Sequence, residues 1–377
     1  MLKMKDNYAK LFEPFTFKSG AKIENRFLMA PMTTASSFEN GMITTDELMY
    51  YKRRSGGVGA VITACAHVRE DGKFKSSPSI SDDKFIPSLA KLAKEIKETG
   101  SKAILQIFHV GRMEPSSGLR GLQPVSASSI PAERPNAEVP RALESSEVED
   151  IIKQFGEATR RAIKAGFDGV EIHGANTYLI QQFFSPHSNQ RDDYWGGTLE
   201  KRMNFPIEVV RSVTDAVKKY AKRPFITGYR LSPEEIEEPG ITIDDTLSLM
   251  KELKVYPLDY FHISLGNIFQ SSLRNQENRE PLLKIIQDAI GDEIPIIGVG
   301  NVITPDDALE AMDELGVPLI ALGRELIIEP DWIEKVSKGD VENIRKVVEE
   351  KNREDLALPD AMWEYINGRP GWLPIVK

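Results

Sequence analysis

Three hydrogen-bonding side chains of different chemistry occur within six residues of this chain. His173, Asn176 and Tyr178 supply an imidazole, a carboxamide and a phenol. A loop that serves packing alone rarely needs so many hydrogen-bonding groups, so the cluster indicates a site for a polar ligand. Taken singly, His173 could instead be a core histidine bonded to a backbone carbonyl.

The cluster directly follows a predicted buried strand. Residues 169–172 read Gly-Val-Glu-Ile, and the preceding Ala165-Gly166-Phe167-Asp168 is typical of a helix end and a tight turn. In a barrel of parallel strands, the loops that follow the strands converge on one mouth, where active sites are built. The sequence therefore predicts that the cluster lies at such a mouth.

Predicted strands alternate with predicted helices along the chain. The strands cover residues 26–30, 58–63, 103–108, 169–172, 225–229, 260–264, 294–299 and 319–322. Such alternation implies parallel strands with right-handed crossovers, and eight of them close into a TIM (β/α)8 barrel. A doubly wound open sheet is the competing architecture, but no Gly-x-Gly-x-x-Gly separates the first strand from its helix.

Segments outside the barrel strands are also predicted. Residues 15–24 indicate a hairpin that plugs the barrel floor, and residues 111–144 and 183–197 indicate long loops after strands three and four. The barrel is expected to span residues 1–340. Residues after Pro330 predict a helix to Lys351, so residues 341–377 become a C-terminal helix and an extended tail, packed on the barrel or on a neighbouring subunit.

Composition excludes several classes of protein. A net charge of −9 and a pI near 5.4 argue against a broad nucleic-acid surface. The polar start and the lack of an apolar stretch of membrane-spanning length predict a soluble, cytoplasmic protein with no membrane partner. The single cysteine, Cys65, excludes internal disulfides and a four-cysteine iron-sulfur cluster, and no metal site is predicted. A homo-oligomer is compatible with the sequence.

Polar residues stand near the ends of other predicted strands, where a buried strand should be apolar. Gln106 lies on strand three and Arg230 directly follows strand five. Gln106 could be a satisfied buried amide and Arg230 an ion-pair partner of Glu171, whereas His262 on strand six is interpreted as structural. Gln106, His173 and Arg230 nevertheless all fall at the same end of the predicted barrel, which favours a polar ligand above the barrel core.

The last two strands end in glycine-containing turns, Gly300-Asn301 and Gly323-Arg324. Loops after strands seven and eight form the recurrent phosphate site of such barrels, because backbone N–H groups there face the anion. Arg324 adds a charge-assisted contact. The pair of turns therefore predicts a phosphate site.

Several of these segments together resemble the old yellow enzyme family of FMN-dependent ene reductases. The resemblance covers residues 11–338. The segments that carry it are Ala30-Pro31-Met32-Thr33, Gln106 with His109-Val110-Gly111-Arg112, residues 165–176 and 185–191, and Gly323-Arg324.

The resemblance implies a TIM barrel with non-covalent FMN at its mouth. Pro31, Met32 and Thr33 would contact the flavin, with the Thr33 hydroxyl at the carbonyl O4. Ala64 would lie against the ring, Gln106 at the pyrimidine edge and Arg230 near N1. The residues implied at the FMN phosphate are Gly300, Asn301, Gly323 and Arg324.

The resemblance also implies a reaction. NADPH or NADH would give hydride to FMN, which reduces the activated C=C bond of an enone, nitroalkene or quinone. His173 and Asn176 would bind the substrate oxygen, and Tyr178 would donate the proton. Many relatives have His in place of Asn176 and some have Cys in place of Thr33, so the branch of the family stays open. In some relatives an arginine from a neighbour's tail reaches the active site, and Arg369 is a candidate here.

Two other functions remain compatible with the sequence. Another FMN or sugar-phosphate barrel, a dehydrogenase or isomerase, would keep the phosphate turns but has no obvious need for His173, Asn176 and Tyr178 together. A flavoprotein that binds phenols or quinones without turnover would use the first two of these residues and leave Tyr178 idle.

Overall fold

The centre of the molecule is a closed barrel of parallel strands, seen in a computed structural model that describes residues 4–376. Each strand pairs with its neighbours, and pairing between the second and third barrel strands completes the circle. This arrangement confirms the predicted TIM barrel. The barrel strands are β1 (Phe27–Met29), β2 (Ala60–Ile62), β3 (Lys102–Phe108), β4 (Gly169–Gly174), β5 (Ile226–Leu231), β6 (Tyr260–Ile263), β7 (Ile296–Val299) and β8 (Leu319–Leu322).

Amphipathic helices surround the barrel and bury their apolar faces against it. Several begin at a threonine whose hydroxyl accepts a hydrogen bond from the third residue of the helix, as at Thr44, Thr242 and Thr304. Two short helices, Arg324–Ile328 and Trp332–Ser337, follow β8. The other barrel helices are α1 (Thr45–Ser55), α2 (Ile86–Glu98), α3 (Ser145–Lys164), α4 (Leu199–Tyr220), α5 (Ile243–Leu253), α6 (Leu282–Ile290) and α7 (Pro305–Glu314).

The N-terminal hairpin closes the floor of the barrel, as predicted. Its strands, Phe15–Thr16 and Lys22–Ile23, pair antiparallel. Phe17 packs with the side chains that fill the barrel interior. The backbone N–H of Ser19 donates to a carboxylate oxygen of Asp259, immediately before β6, at 2.7 Å. The contact is at the N-terminal end of a barrel strand, so the mouth at the opposite end is left open for ligands.

The two long loops at the mouth contain short regular elements. The loop after β3 includes a 3-10 turn at Gly111–Met113 and a parallel pairing of Val125–Ser126 with Arg141–Ala142. A helix that the sequence did not predict, Leu179–Phe184, follows β4. Tyr178 is the residue that precedes its first turn, so the helix fixes the backbone next to the polar cluster.

The C-terminal region differs from the prediction. The expected helix to Lys351 ends at Ser337, because Gly339 turns the chain at φ 77°. A helix at Asp360–Asn367 stands in the tail that was predicted to be extended. Two-residue strands, Val348–Glu349 and Ile375–Val376, pair at the base of this segment.

Burial explains why the tail becomes helical there. Met362, Trp363 and Ile366 recur at helical spacing, and all three are buried in the main apolar cluster of the barrel. Between residues 4 and 376, no helix is long and apolar enough to cross a membrane.

Candidate active site

Strand register brings the predicted polar residues together at the mouth. Arg230 on β5 pairs in register with His173 on one side and with His262 on the other. Two residues before His173 on β4, Glu171 lies opposite Gln106 on β3. Four neighbouring strands, β3 to β6, thus contribute polar side chains at two adjacent levels of the barrel.

The protonation of His173 follows from its surroundings. Burial, together with the nearby charge of Arg230, lowers the pKa of its imidazole well below the usual value, so the ring is neutral. Its Nδ1 accepts a hydrogen bond from the Ala175 N–H at 3.3 Å. Since a neutral imidazole carries one proton, that proton stands on Nε2, which is therefore a donor.

The carboxamide of Asn176 is oriented by a chain of hydrogen bonds. A guanidinium N–H of Arg230 donates to the Ser264 hydroxyl oxygen at 3.1 Å, and that hydroxyl donates to Asn176 Oδ1 at 2.8 Å. With Oδ1 engaged as an acceptor, the amide nitrogen of Asn176 remains as a donor. His173 and Asn176 both present N–H groups to this part of the mouth.

The backbone between these donors and Tyr178 is strained. Asn176 and Thr177 have φ of 57° and 61°, in the left-handed region. Asparagine tolerates this conformation, but a β-branched residue such as Thr177 adopts it at a cost. Hydrogen bonds hold the turn: the N–H of Asn176 donates to the Ser232 hydroxyl at 2.9 Å, and the N–H of Thr177 to the Gln181 side-chain oxygen at 3.0 Å.

Tyr178 is held in an aromatic wall. Its ring centroid lies 4.8 Å from that of His173, 5.2 Å from that of Phe74 and 5.5 Å from that of Phe108. Burial, together with Cys65 and Tyr365, raises the pKa of the Tyr178 phenol, so it keeps its proton at neutral and mildly alkaline pH. Cys65 itself is a buried free thiol whose pKa burial raises to about 12, which fits a structural cysteine.

Arg230 and Gln106 have different surroundings. Arg230 is buried, and its Nε finds no hydrogen-bond partner among residues 4–376. The amide nitrogen of Gln106 donates to Glu171 at 2.7 Å, so the interpretation of a satisfied buried amide holds for that atom. His262 donates to the same carboxylate, from Nδ1 at 2.9 Å, which agrees with the structural interpretation.

The two glycine turns meet at the other side of the mouth. Gly300 has φ of 125°, and a Cβ there would stand 2.7 Å from the Leu265 carbonyl oxygen, so only glycine fits. Asn301 follows with φ of 53°, a conformation that asparagine tolerates. Its side-chain oxygen accepts from an Arg324 guanidinium N–H at 3.2 Å. The structure therefore joins the turns after β7 and β8, as the phosphate prediction requires.

The first two strands contribute the remaining predicted residues. Pro31, Met32 and Thr33 are half-buried just after β1, and the Thr33 hydroxyl has no hydrogen-bond partner within the described chain. Met32 lies beside Gly323, where an added Cβ would come within 3.0 Å of the Met32 sulfur. Ala64, after β2, is buried, and its N–H donates to the Tyr51 hydroxyl at 2.7 Å.

Sequence reasoning missed residues that act through tertiary contacts. Ser264 and Ser232 orient Asn176, and Phe74 packs on Tyr178. Tyr365, on the C-terminal helix, lies near enough to influence Tyr178. For Ser264 a weak indication existed, since it stands at the end of the predicted strand six, level with the other polar strand ends.

The tail also borders the joined glycine turns. Asn301 and Arg324 line a cavity of about 100 Å³ together with Arg345 and Trp372 of the C-terminal segment. The Tyr365 and Trp372 rings lie 6.2 Å apart, and the Arg369 guanidinium stacks 3.5 Å above Tyr365. Arg369 therefore contacts an aromatic ring of its own chain.

A comparison with known protein families shows to which family the chain belongs. Residues 10–343 match the family model described as the NADH:flavin oxidoreductase / NADH oxidase family. The chain belongs to this family of flavin oxidoreductases. It is accordingly an NAD(P)H-dependent flavin oxidoreductase of the old yellow enzyme type, and FMN is its cofactor.

Similarity to individual proteins supports the same family assignment. The chain is 47% identical over 372 residues to a probable NADH-dependent flavin oxidoreductase, YqiG, of Bacillus subtilis, covering 98% of this chain and 99% of that protein. It is 44% identical over 363 residues to the NADH:acrylate oxidoreductase of Vibrio harveyi, covering 95% of this chain but only 36% of that longer protein. Among solved structures, an old yellow enzyme homologue from Zymomonas mobilis superposes with a TM-score of 0.75 at 26% identity, over 86% of this chain and 91% of the other.

The residues at the mouth fit FMN. A buried guanidinium N–H and a half-buried hydroxyl, Arg230 Nε and the Thr33 side chain, both lack a partner among the described residues. A flavin ring offers carbonyl and ring-nitrogen acceptors to such groups. On the other side of the mouth, Arg324 and the backbone N–H groups of the two adjoining turns are suited to bind a phosphate.

Proposed function

We propose that this flavin oxidoreductase reduces the activated C=C bond of compounds such as enones, nitroalkenes and quinones, with NADH or NADPH as the hydride donor. FMN, when bound, supplies the chemistry by accepting hydride from the nicotinamide and passing it to the alkene. The observation that carries the proposal is the pair of oriented N–H donors on His173 and Asn176, next to the protonated phenol of Tyr178.

The two donors bind the oxygen of the substrate's carbonyl or nitro group. A hydrogen bond to that oxygen withdraws electrons from the conjugated double bond and makes its β-carbon electrophilic. Negative charge then develops on the oxygen, where donors fixed in advance are most effective. The bond from Ser264 to Asn176 Oδ1 keeps the amide nitrogen, rather than the oxygen, turned to the substrate.

Tyr178 donates the proton to the α-carbon. Its raised pKa keeps the hydroxyl protonated, and its aromatic wall holds the ring in one place. In the same proposal, Arg230, Gln106, Thr33 and Ala64 hold the flavin ring beside Pro31 and Met32. The phosphate is held by Gly300, Asn301, Gly323 and Arg324.

The names of two relatives support the choice of hydride donor and of substrate. The Bacillus subtilis and Vibrio harveyi relatives are both named for NADH, which favours NADH over NADPH here. Acrylate, in the second name, is an activated alkene, so it belongs among the substrates to test. A flavoprotein that binds phenols without turnover is the alternative, since the two donors would serve it equally well.

An anaerobic stopped-flow experiment separates these functions. The purified protein loaded with FMN should be yellow, be bleached by NADH or NADPH, and regain its colour on mixing with 2-cyclohexenone. A protein that is bleached but not reoxidised by enones, nitroalkenes or acrylate would support the binding protein instead. Failure to bind FMN at all would refute both.

A further inference from the structure

A buried carboxylate joins the strands beneath the proposed flavin site. Glu171 is fully buried on β4, and its two oxygens accept three hydrogen bonds. The donors are the Gln106 amide at 2.7 Å, the Tyr260 hydroxyl at 3.0 Å and His262 Nδ1 at 2.9 Å. They come from β3 and β6, so the carboxylate spans the part of the barrel from which Arg230 also projects.

Glu171 carries a negative charge despite its burial. Burial opposes the charged form, but the hydrogen bonds from His262 and Gln106 and the charge of Arg230 together outweigh it and lower the pKa of the carboxyl group. Burial lowers the pKa of His262, so this histidine is neutral and donates its Nδ1 proton. An isolated buried carboxylate is costly, and three donors with a nearby cation are what make it tolerable.

Arg230, on the strand between β4 and β6, is the cation that interacts electrostatically with this carboxylate. Burial lowers the pKa of the Arg230 guanidinium, and Glu171 acts against that effect. The side chains of Tyr178, Cys65 and Tyr260 also interact with the guanidinium. Burial raises the pKa of each of these three groups, so they are neutral. Glu171 is therefore the one charged group among them, and its charge cancels part of the field of Arg230.

We propose that Glu171 is a positioning residue that sets the reduction potential of FMN, by fixing Gln106 and by partly neutralising Arg230. The inference rests on the proposed function, in which Arg230 and Gln106 contact the flavin ring. Glu171 itself does not touch the cofactor in this scheme. It acts through the two residues that do.

The expected direction follows from charge. NAD(P)H gives FMN a hydride, which is two electrons and one proton, so the ring gains one negative charge. Arg230 favours that charge and Glu171 opposes it. Without the carboxylate, the reduced form is more stable, so the flavin accepts hydride more readily and releases it less readily.

The test is the midpoint potential of the FMN-loaded Glu171→Gln variant, together with both half-reaction rates. We expect the reduction equilibrium to shift toward reduced FMN by about tenfold or more, about 30 mV for a two-electron couple. Reduction by NADH should become faster and reoxidation by 2-cyclohexenone slower. A merely structural role would slow both half-reactions and leave the potential unchanged, and that result would overturn the inference.

Two further variants keep the test decisive. Asp259→Asn is the matched control, because Asp259 is a buried carboxylate that accepts from the backbone N–H groups of Ser19 and Thr227 at the floor of the barrel, and the potential of this variant should equal that of the wild type. Glu171→Asp retains the negative charge but draws the carboxylate back by one methylene. Its midpoint potential should therefore shift in the same direction as that of Glu171→Gln, by a smaller amount. If Glu171→Gln does not fold, a Glu171→Asp potential equal to the wild type overturns the inference.

Arg230→Gln distinguishes this inference from the proposed function. If FMN lies against Arg230, this variant should move the potential in the opposite direction, toward the oxidised form. The midpoint potential of the double variant Glu171→Gln, Arg230→Gln should lie between those of the two single variants, because both charges are gone. An unchanged potential in Arg230→Gln contradicts the proposed flavin site, whereas a shift there without one in Glu171→Gln contradicts only the role of Glu171.

Discussion

At the scale of single residues, two hydrogen bonds decide which atoms can act on a substrate. A backbone N–H occupies Nδ1 of His173, and the Ser264 hydroxyl occupies Oδ1 of Asn176. Each bond leaves a donor free. The sequence motif predicted His173, Asn176 and Tyr178 because they are adjacent in the chain, but Ser264 reaches Asn176 only through the fold.

Ser264→Ala should therefore impair substrate binding without removing any group that contacts the substrate. The Asn176 amide loses the bond that orients it, and a hydrogen bond of this kind is worth about 1 kcal/mol. We expect kcat/KM for an enone to fall about fivefold to tenfold, and Ser264→Thr, which restores the hydroxyl, to recover most of it. Steady-state kinetics with 2-cyclohexenone measure this. An unchanged kcat/KM in Ser264→Ala would mean that Asn176 is oriented by other contacts.

At the scale of elements, parallel register predicted the site better than local propensity did. Once β3 to β6 are aligned, Gln106, His173 and Arg230 must meet at one end of the barrel. The turn after β4 was not predictable in the same way, because nothing in the local sequence requires Thr177 to adopt a left-handed conformation. Tertiary hydrogen bonds to Ser232 and Gln181 impose it.

Thr177→Gly should stabilise the protein. A non-glycine residue in the left-handed region costs about 1–2 kcal/mol. Because glycine has a freer unfolded state, the substitution also lowers the free energy of unfolding by about 0.5–1 kcal/mol. Relief of strain is larger, so the net gain in the free energy of unfolding is about 0.5–1 kcal/mol. Chemical denaturation of the FMN-loaded protein measures the difference.

Ala175→Gly is the control for that measurement. Ala175 is buried in the same turn, and its backbone lies outside the left-handed region. Its replacement by glycine relieves no strain and should therefore destabilise the protein. Equal destabilisation of both variants would show that the turn at Thr177 stores no strain.

At the scale of the whole molecule, the C-terminal segment folds back onto its own barrel. The buried Arg54 of α1 donates to the carbonyls of Leu326 and Leu356, at 3.2 and 2.5 Å. Within the same segment, Tyr365 is one of the groups that raise the pKa of Tyr178. The barrel and its plug were predictable from periodic patterns, whereas the course of the tail depends on contacts between distant residues that leave no local pattern.

Tyr365→Ala should lower the pKa of Tyr178, because Tyr365 is one of the groups that raise it. In the wild type, burial holds the pKa of Tyr178 above the ordinary phenol value of about 10, so the rate of enone reduction should stay constant up to that pH. Without Tyr365 the pKa of Tyr178 falls toward its ordinary value, and the rate should decline at lower pH than in the wild type. Tyr256→Ala, at a phenol that contacts Arg211 on α4, is the control and should keep the wild-type profile. Superimposable profiles for Tyr365→Ala and the wild type would exclude a role of the tail in setting the pKa of Tyr178.

The central claim is that the two donors and the phenol after β4 serve alkene reduction by a flavin enzyme. Tyr178→Phe tests it most directly, because it removes one hydroxyl and leaves the aromatic wall intact. In anaerobic stopped-flow measurements, reduction of FMN by NADH should stay within about twofold of the wild type. Reoxidation by 2-cyclohexenone should slow by about 100-fold or more, the range typical of a lost general acid. Equal rates of reoxidation in variant and wild type, or equal losses in both half-reactions, would contradict the claim.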